Sequence, residues 1–235
     1  MDLFPDKSVP DEQNERSGNG LAPLAERLRP ATLDEVVGQD EVVGRDRPLR
    51  QAIEKDRVPS LIFWGPPGSG KTTIARLIAR TTEGQFIPFS AVVSGIKEVK
   101  TVLSKAGDYY RMSGRRTYVF IDEIHRFNKA QQDAFLPYVE SGEIVLIGAT
   151  TENPSFEVNS ALLSRMQVHV LKRLDDESLQ SIVRRALEDA ERGLGEMHLE
   201  ADDKAVGLMA SLADGDARRA LTVTEACADY VGSGG

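Results

Sequence analysis

Eight consecutive residues, Gly65-Pro66-Pro67-Gly68-Ser69-Gly70-Lys71-Thr72, limit what this chain can fold into more than any other feature. They match the spacing G-x-x-x-x-G-K-[ST] at every fixed position. The apolar run Leu61-Ile62-Phe63-Trp64 just before them reads as a buried strand entering a turn. From Ser69 to Arg80, apolar residues at 74, 75, 77, 78 and 79 read as a helix. A glycine-rich turn between a strand and a helix can curl its backbone N–H groups inward around phosphate oxygens, and Gly68 and Gly70 permit that curl. The helix adds the positive end of its dipole. Lys71 is then a point charge for β- and γ-phosphates, and the Thr72 hydroxyl is an oxygen ligand for Mg²⁺. Gly65 through Thr72, with Thr73 beside them, form the expected nucleotide cradle.

The surrounding pattern has the same character. Phe86–Phe89, Tyr118–Ile121, Glu143–Gly148 and Val168–Leu171 read as further strands. Ile96–Met112 and Lys129–Glu140 read as helices, the second bent or shortened by Pro137. Apolar strands alternating with helices imply an α/β fold, a parallel five-stranded sheet with helices on both faces. After Leu171 the strands stop, and Asp175–Glu191, Ala201–Ala213 and Asp216–Tyr230 read as a small all-helical subdomain. Residues 1–20, rich in Pro, Gly, Asn, Ser and charge, read as a disordered tail. The expected division is therefore tail 1–20, core 21–171 and helical subdomain 172–235.

Tyr118-Val119-Phe120-Ile121-Asp122-Glu123 ends a strand in two carboxylates. At a strand tip beside a phosphate loop, Asp122 suits Mg²⁺ held through water, and Glu123 suits a general base that orients water toward the γ-phosphate. His125 extends the string to Asp-Glu-x-His, reminiscent of helicases, although the rest of the chain does not read as one. The fourth strand runs into Thr150-Thr151-Glu152-Asn153, hydroxyls and an amide that could contact the γ-phosphate; alone, such a string is an ordinary polar turn. Arg165 in Leu162-Leu163-Ser164-Arg165 could reach a neighbouring subunit's phosphate, and Arg218 at a helix start could fold back onto the chain's own nucleotide. Taken singly, either arginine is an ordinary solvated charge.

Composition excludes other classes. A single cysteine, Cys227, allows no internal disulfide, and three scattered histidines make no metal cluster. No apolar run approaches the ~20 residues of a membrane span, and the N-terminus does not read as a secretory signal, so the expected place is the cytoplasm, near the nucleoid if bacterial. The 29 basic and 37 acidic residues give a net charge of −8. Residues 21–171 carry 19 basic and 18 acidic groups, whereas residues 172–235 carry 8 and 14. Any contact with nucleic acid is expected in the middle segment.

Over residues 21–230 the order of these features resembles the AAA+ ATPases. Asp122–Arg165 (DEIHRFNKAQQDAFLPYVESGEIVLIGATTENPSFEVNSALLSR) and the opening LAERLRPATLDEVVGQDEVVG resemble the RarA/MgsA family of replication-associated recombination ATPases, in the clamp-loader branch. The resemblance implies ATP and Mg²⁺ as ligands. It implies Walker A at Lys71 and Thr72, Walker B at Asp122 and Glu123, and sensor 1 at Thr151 with Thr150 beside it. Arg165 becomes the arginine finger, Arg218 sensor 2, and Ser90 a polar switch residue toward Glu123. Val36 and Val37 fall in the segment laid against adenine. The implied activity is a DNA-dependent, oligomeric ATPase working at forks, gaps or duplex ends with single-strand-binding protein.

Lys97, Lys100, Arg126 and Lys129 are the candidate DNA contacts, with solvated helix faces as the plain alternative. Leu3-Phe4 resembles a short sliding-clamp-binding peptide, or is an incidental apolar pair. Met166 stands where clamp-loader relatives usually have Cys, and the chain stops short of the family's further C-terminal and tetramer-forming sequence. The alternatives are a clamp-loader subunit, a branch-migration motor without a clear DNA-opening hairpin, or an AAA+ scaffold with little activity of its own.

Overall fold

The computed structural model describes residues 22–90 and 95–232, without the Ser90 side chain. The tail at 1–20, including Leu3-Phe4, lies outside the described residues. Five strands form one parallel sheet: β1 (Leu61–Trp64), β2 (Gln85–Ser90), β3 (Thr117–Asp122), β4 (Ile144–Thr150) and β5 (Gln167–Val170), in the order β2-β3-β4-β1-β5. β4 is buried along its whole length and β3 to its last residue, which explains their unbroken apolar runs. β5 is the edge strand beside β1, with Val168 and Val170 exposed. Helices Lys71–Thr81 and Ile96–Ser113 cross between successive strands. Ile62, Val119, Ile121 and Leu146 pack with Leu103, Phe135 and Leu162 in the sheet's core.

The single helix expected over Lys129–Glu140 is two, Lys129–Asp133 and Leu136–Ser141. Pro137 sits in the first turn of the second, where its missing N–H leaves no helical bond unmade. Asn128 and Gln131 form a reciprocal capping box at the start of the first. The expected helix to Glu191 ends at Glu188, because Asp189 Oδ1 accepts the N–H groups of Glu191 and Arg192 and turns the chain out.

Packing groups residues 22–38 and 66–70 with 172–232, apart from the sheet-bearing residues 39–65 and 71–171. The boundary read at 171/172 thus differs for residues 22–38. Leu24 and Leu28 bury among Leu179, Val183, Val206 and Leu221 of the C-terminal helices. Arg27 Nη1 donates to Gly193 O at 3.0 Å and Arg185 Nη2 to Leu28 O at 3.2 Å. A short segment with two leucines and no strand of its own buries them on that surface. Among the described residues, no helix is long and apolar enough to cross a membrane.

Gln132, 2% exposed, fixes the segment leading to Arg165. Its Nε2 donates to Phe127 O at 2.9 Å and Glu157 O at 3.1 Å, and its Oε1 accepts from Asn159 N at 2.7 Å. Gln132→Leu leaves three backbone groups without their partner. It should cost about 3 kcal/mol, read as a lowered urea midpoint with an unchanged slope.

Candidate nucleotide site

Because the strands are parallel, the carboxyl ends of β1, β3 and β4 lie side by side, and each carries one part of the expected chemistry. β1 runs into Gly65, whose N–H donates to Thr150 O at 3.2 Å. Lys71 begins the helix after the loop and is 7% exposed; its Nζ donates to Gly65 O at 2.7 Å. Thr72 Oγ1 donates to Asp122 Oδ2 at 3.4 Å. This brings a hydroxyl and a carboxylate together as hard oxygen donors, the ligand chemistry that Mg²⁺ prefers. In register, Asp122 stands beside Ser90 of β2.

The turn of the loop, Pro66–Gly70, packs within the helical group. Ser69 Oγ donates to Pro66 O at 2.8 Å, and Ala217 N donates to Gly68 O at 3.4 Å. Gly68 has φ +67°, and a Cβ there would lie 1.9 Å from Asp216 Oδ1. Glycine is required twice over at this position, by backbone conformation and by close approach.

Glu123 follows Asp122 in the left-handed region at φ +53°, a conformation that costs a non-glycine residue roughly 1 kcal/mol or more. Its Oε2 is shielded from solvent and accepts no well-formed hydrogen bond. The nearest polar partner is His125 Nδ1 at 3.2 Å. The same nitrogen lies 2.9 Å from Thr150 Oγ1, which also accepts from Glu152 N at 3.0 Å. Glu123, His125 and Thr150 therefore form a polar chain from the tip of β3 to the tip of β4. In the sequence, the signal for His125 is its place two residues beyond the carboxylate pair, which by itself does not distinguish it from an ordinary surface histidine. Thr150, fully buried, makes the contact, whereas the Thr151 side chain makes no hydrogen bond to any described residue.

Arg165 lies just before β5, hence at the amino ends of the strands. The seven residues of β4, at ~3.3 Å each, set the two ends of the sheet roughly 20 Å apart. The sheet thus separates Arg165 from Glu123. Arg165 instead pairs with Glu140 at 2.5 Å. Arg218 is exposed in the first turn of the Ala217–Gly232 helix and its guanidinium bonds to no described residue. Val36 and Val37 are half-buried in the helical group, Val37 against its apolar cluster. Lys97, Lys100, Arg126 and Lys129 are all exposed, and none has an ion pair among the described residues.

Residues 61–174 match the family model of the ATPase family associated with various cellular activities, AAA. The chain is 50% identical to replication-associated recombination protein A of Coxiella burnetii over 91% of its own length and 48% of the relative's. It is 49% identical to the protein of the same name from Escherichia coli, over 91% of this chain and 47% of that one. It thus spans about half the length of these relatives. Among solved structures, the Thermotoga maritima RuvB Holliday junction branch migration motor superposes with a TM-score of 0.72 at 29% identity, covering 87% of this chain and 66% of that one.

His125→Ala should leave nucleotide affinity unchanged and lower hydrolysis by up to roughly 100-fold, the loss expected when a reacting group is misplaced. His125→Gln, which can still hydrogen-bond, should recover part of it. Nucleotide affinity by fluorescence titration and single-turnover phosphate release separate the two effects.

Proposed function

We propose, for a chain that belongs to the AAA ATPases and within them to the replication-associated recombination protein A family, that it is a DNA-stimulated ATPase of replication-fork maintenance and recombination, hydrolysing ATP between subunits of an oligomer. The observation that carries this reading is the convergence at the strand tips. The Thr72–Asp122 pair stands on one side, and the Glu123–His125–Thr150 chain next to it. Thr72 and Asp122 would hold Mg²⁺, which supplies charge neutralisation to the phosphate oxygens. Lys71 and the loop N–H groups bind the triphosphate, and Arg218 acts as sensor 2. Glu123 accepts the proton of the attacking water, held in orientation by His125, with Thr150 and Thr151 marking the γ-phosphate side. Val36 and Val37 face the base.

The placement of Arg165 supports a trans role. Roughly 20 Å along the sheet is too far for a side chain to serve its own Glu123, so the phosphate it stabilises belongs to a second copy. The exposed cations at 97, 100, 126 and 129, none with an ion pair among the described residues, support a DNA-facing surface despite the acidic net charge. Single-strand-binding protein and a sliding clamp are the partners this reading names.

Lys71→Ala should abolish ATP binding, and Glu123→Gln should bind normally but stop turnover; wild-type turnover by Glu123→Gln would remove Glu123 as the base. The DNA arm is read by phosphate release with and without forked, gapped and blunt DNA. Lack of stimulation by all three would leave an ATPase without the proposed DNA dependence.

Arginine fingers contribute roughly 10³–10⁵ in rate. Arg165→Ala subunits should therefore be nearly inactive alone and regain activity when mixed with Lys71→Ala subunits. No recovery in mixtures shown to co-assemble would overturn the trans assignment.

A further inference from the structure

At the amino ends of β1, β3 and β4 the sheet-bearing residues enclose a concavity of about 500 Å³. Val58 and Ile144 contribute apolar lining, and Ser60, Arg116, Glu140 and Arg165 contribute polar groups. The balance is two guanidiniums against one carboxylate. Arg165 is held from within its own chain: Nη2 meets Glu140 Oε1 at 2.5 Å, and Nη1 donates to Ala161 O at 2.7 Å and Ser164 Oγ at 3.0 Å. Three of its five N–H groups are thereby engaged, one of them by an oxyanion. Arg116 is exposed, and its guanidinium makes no hydrogen bond or ion pair with any described residue. Its neighbours differ: Arg115 pairs with Glu83, and Arg111 with Asp108 and Glu143.

We propose that this concavity receives the terminal phosphate of a nucleoside triphosphate bound by a second copy of the chain, with Arg116 as a second trans arginine beside Arg165 and Glu140 as the internal oxyanion that the phosphate displaces. The proposal rests on the trans reading of Arg165. The Glu140 carboxylate shows that the fork of Arg165 already holds an oxyanion at this concavity. An exposed ion pair of this kind is weak, and a phosphate carrying more charge and more acceptor oxygens replaces it. Exchange of Glu140 for phosphate frees the guanidinium fork for bidentate contact. Arg116, with no carboxylate of its own, brings the second positive charge needed to offset the dianion. A single arginine still paired to Glu140 would present almost no net charge.

The test uses mixed assemblies of the full-length protein. Arg165→Ala subunits keep an intact phosphate loop and act as acceptors; Lys71→Ala subunits act as donors of the arginines. Arg116→Ala is then placed on either the donor or the acceptor. On the donor it should lower the recovered turnover about tenfold through kcat, with partial rescue by Arg116→Lys; acceptor placement should cost far less. Equal loss from both placements, or none from the donor, would overturn the role of Arg116 while the trans assignment of Arg165 stands. Failure of the parent mixture to recover, in assemblies shown to form, would overturn both. Glu140→Gln in an otherwise wild-type protein should raise turnover two- to fivefold at protein concentrations below full assembly. A fall would show that Glu140 orients the finger instead of competing for it.

Discussion

Every functional side chain in the sheet depends on one constraint: all five strands run the same way. Parallel pairing collects the carboxyl ends of β1, β3 and β4 at one edge, and with them Gly65, Asp122, Glu123 and Thr150. It consigns residues that precede strands to the opposite edge, so Arg116 before β3 and Arg165 before β5 share the amino-end concavity. An antiparallel neighbour would have mixed the two sets. The acids at the carboxyl ends and the two amino-end arginines, Arg116 and Arg165, are thereby kept apart within the sheet of one chain, and on the proposed trans reading they meet across two. On that reading, the need for a second copy follows from strand polarity before any interface is considered.

The acidic edge is held under tension that its surroundings must offset. Glu123 occupies a left-handed backbone conformation and keeps Oε2 out of water without a good donor. Both features are unfavourable, and both suit a base whose oxygen must be free to take a proton. The restraint comes from below, where β3 is buried on both sides and Ile124 is fully buried directly after the carboxylate. Gln132 performs a similar task for the finger, tying the backbone at Phe127, Glu157 and Asn159 into one unit. Tyr118 adds a further anchor at the other end of β3, its hydroxyl donating to Asp56 Oδ1 at 2.9 Å; burial and that carboxylate push its pKa upward, so it stays protonated and keeps donating.

Much of this was legible in the sequence. The glycines of the loop, the apolar strands and the Asp-Glu pair are local signals, since each depends on neighbours within a few residues. What could not be read depends on contacts between distant residues. His125 acquires its place from Thr150, which lies twenty-five positions on. The same pairing favours Thr150 over Thr151 as the hydroxyl nearest the acid, a distinction that two adjacent threonines cannot reveal. Arg165 was recognisable as a Ser-Arg pair, but Glu140 was not recognisable as its partner. Residues 22–38 looked like part of the sheet-bearing core because they precede it; only their leucines, seated among the C-terminal helices, show otherwise.

Lys71 and Arg165, the two cations proposed to meet phosphate, share a feature that bears on how it would be bound. Lys71 is nearly buried and satisfied by the Gly65 carbonyl at 2.7 Å, while Arg165 is half-exposed and satisfied by Glu140 at 2.5 Å. A buried charge without a partner would be strongly unfavourable, which accounts for the carbonyl at Lys71; Arg165, more exposed, also has an oxygen from its own chain, in a weaker pair. Under the proposed roles, phosphate binding exchanges one oxygen for another instead of bringing a fresh charge out of water, and the net gain is smaller than a bare Coulomb estimate suggests. The exchanges differ in kind. Lys71 gives up a neutral carbonyl within its own loop, which favours tight binding in the isolated subunit. Arg165 gives up a full carboxylate, which penalises partial or misaligned contacts. If Lys71 and Arg165 act as proposed, selectivity for a correctly seated neighbour resides in Arg165, and affinity for nucleotide in the loop.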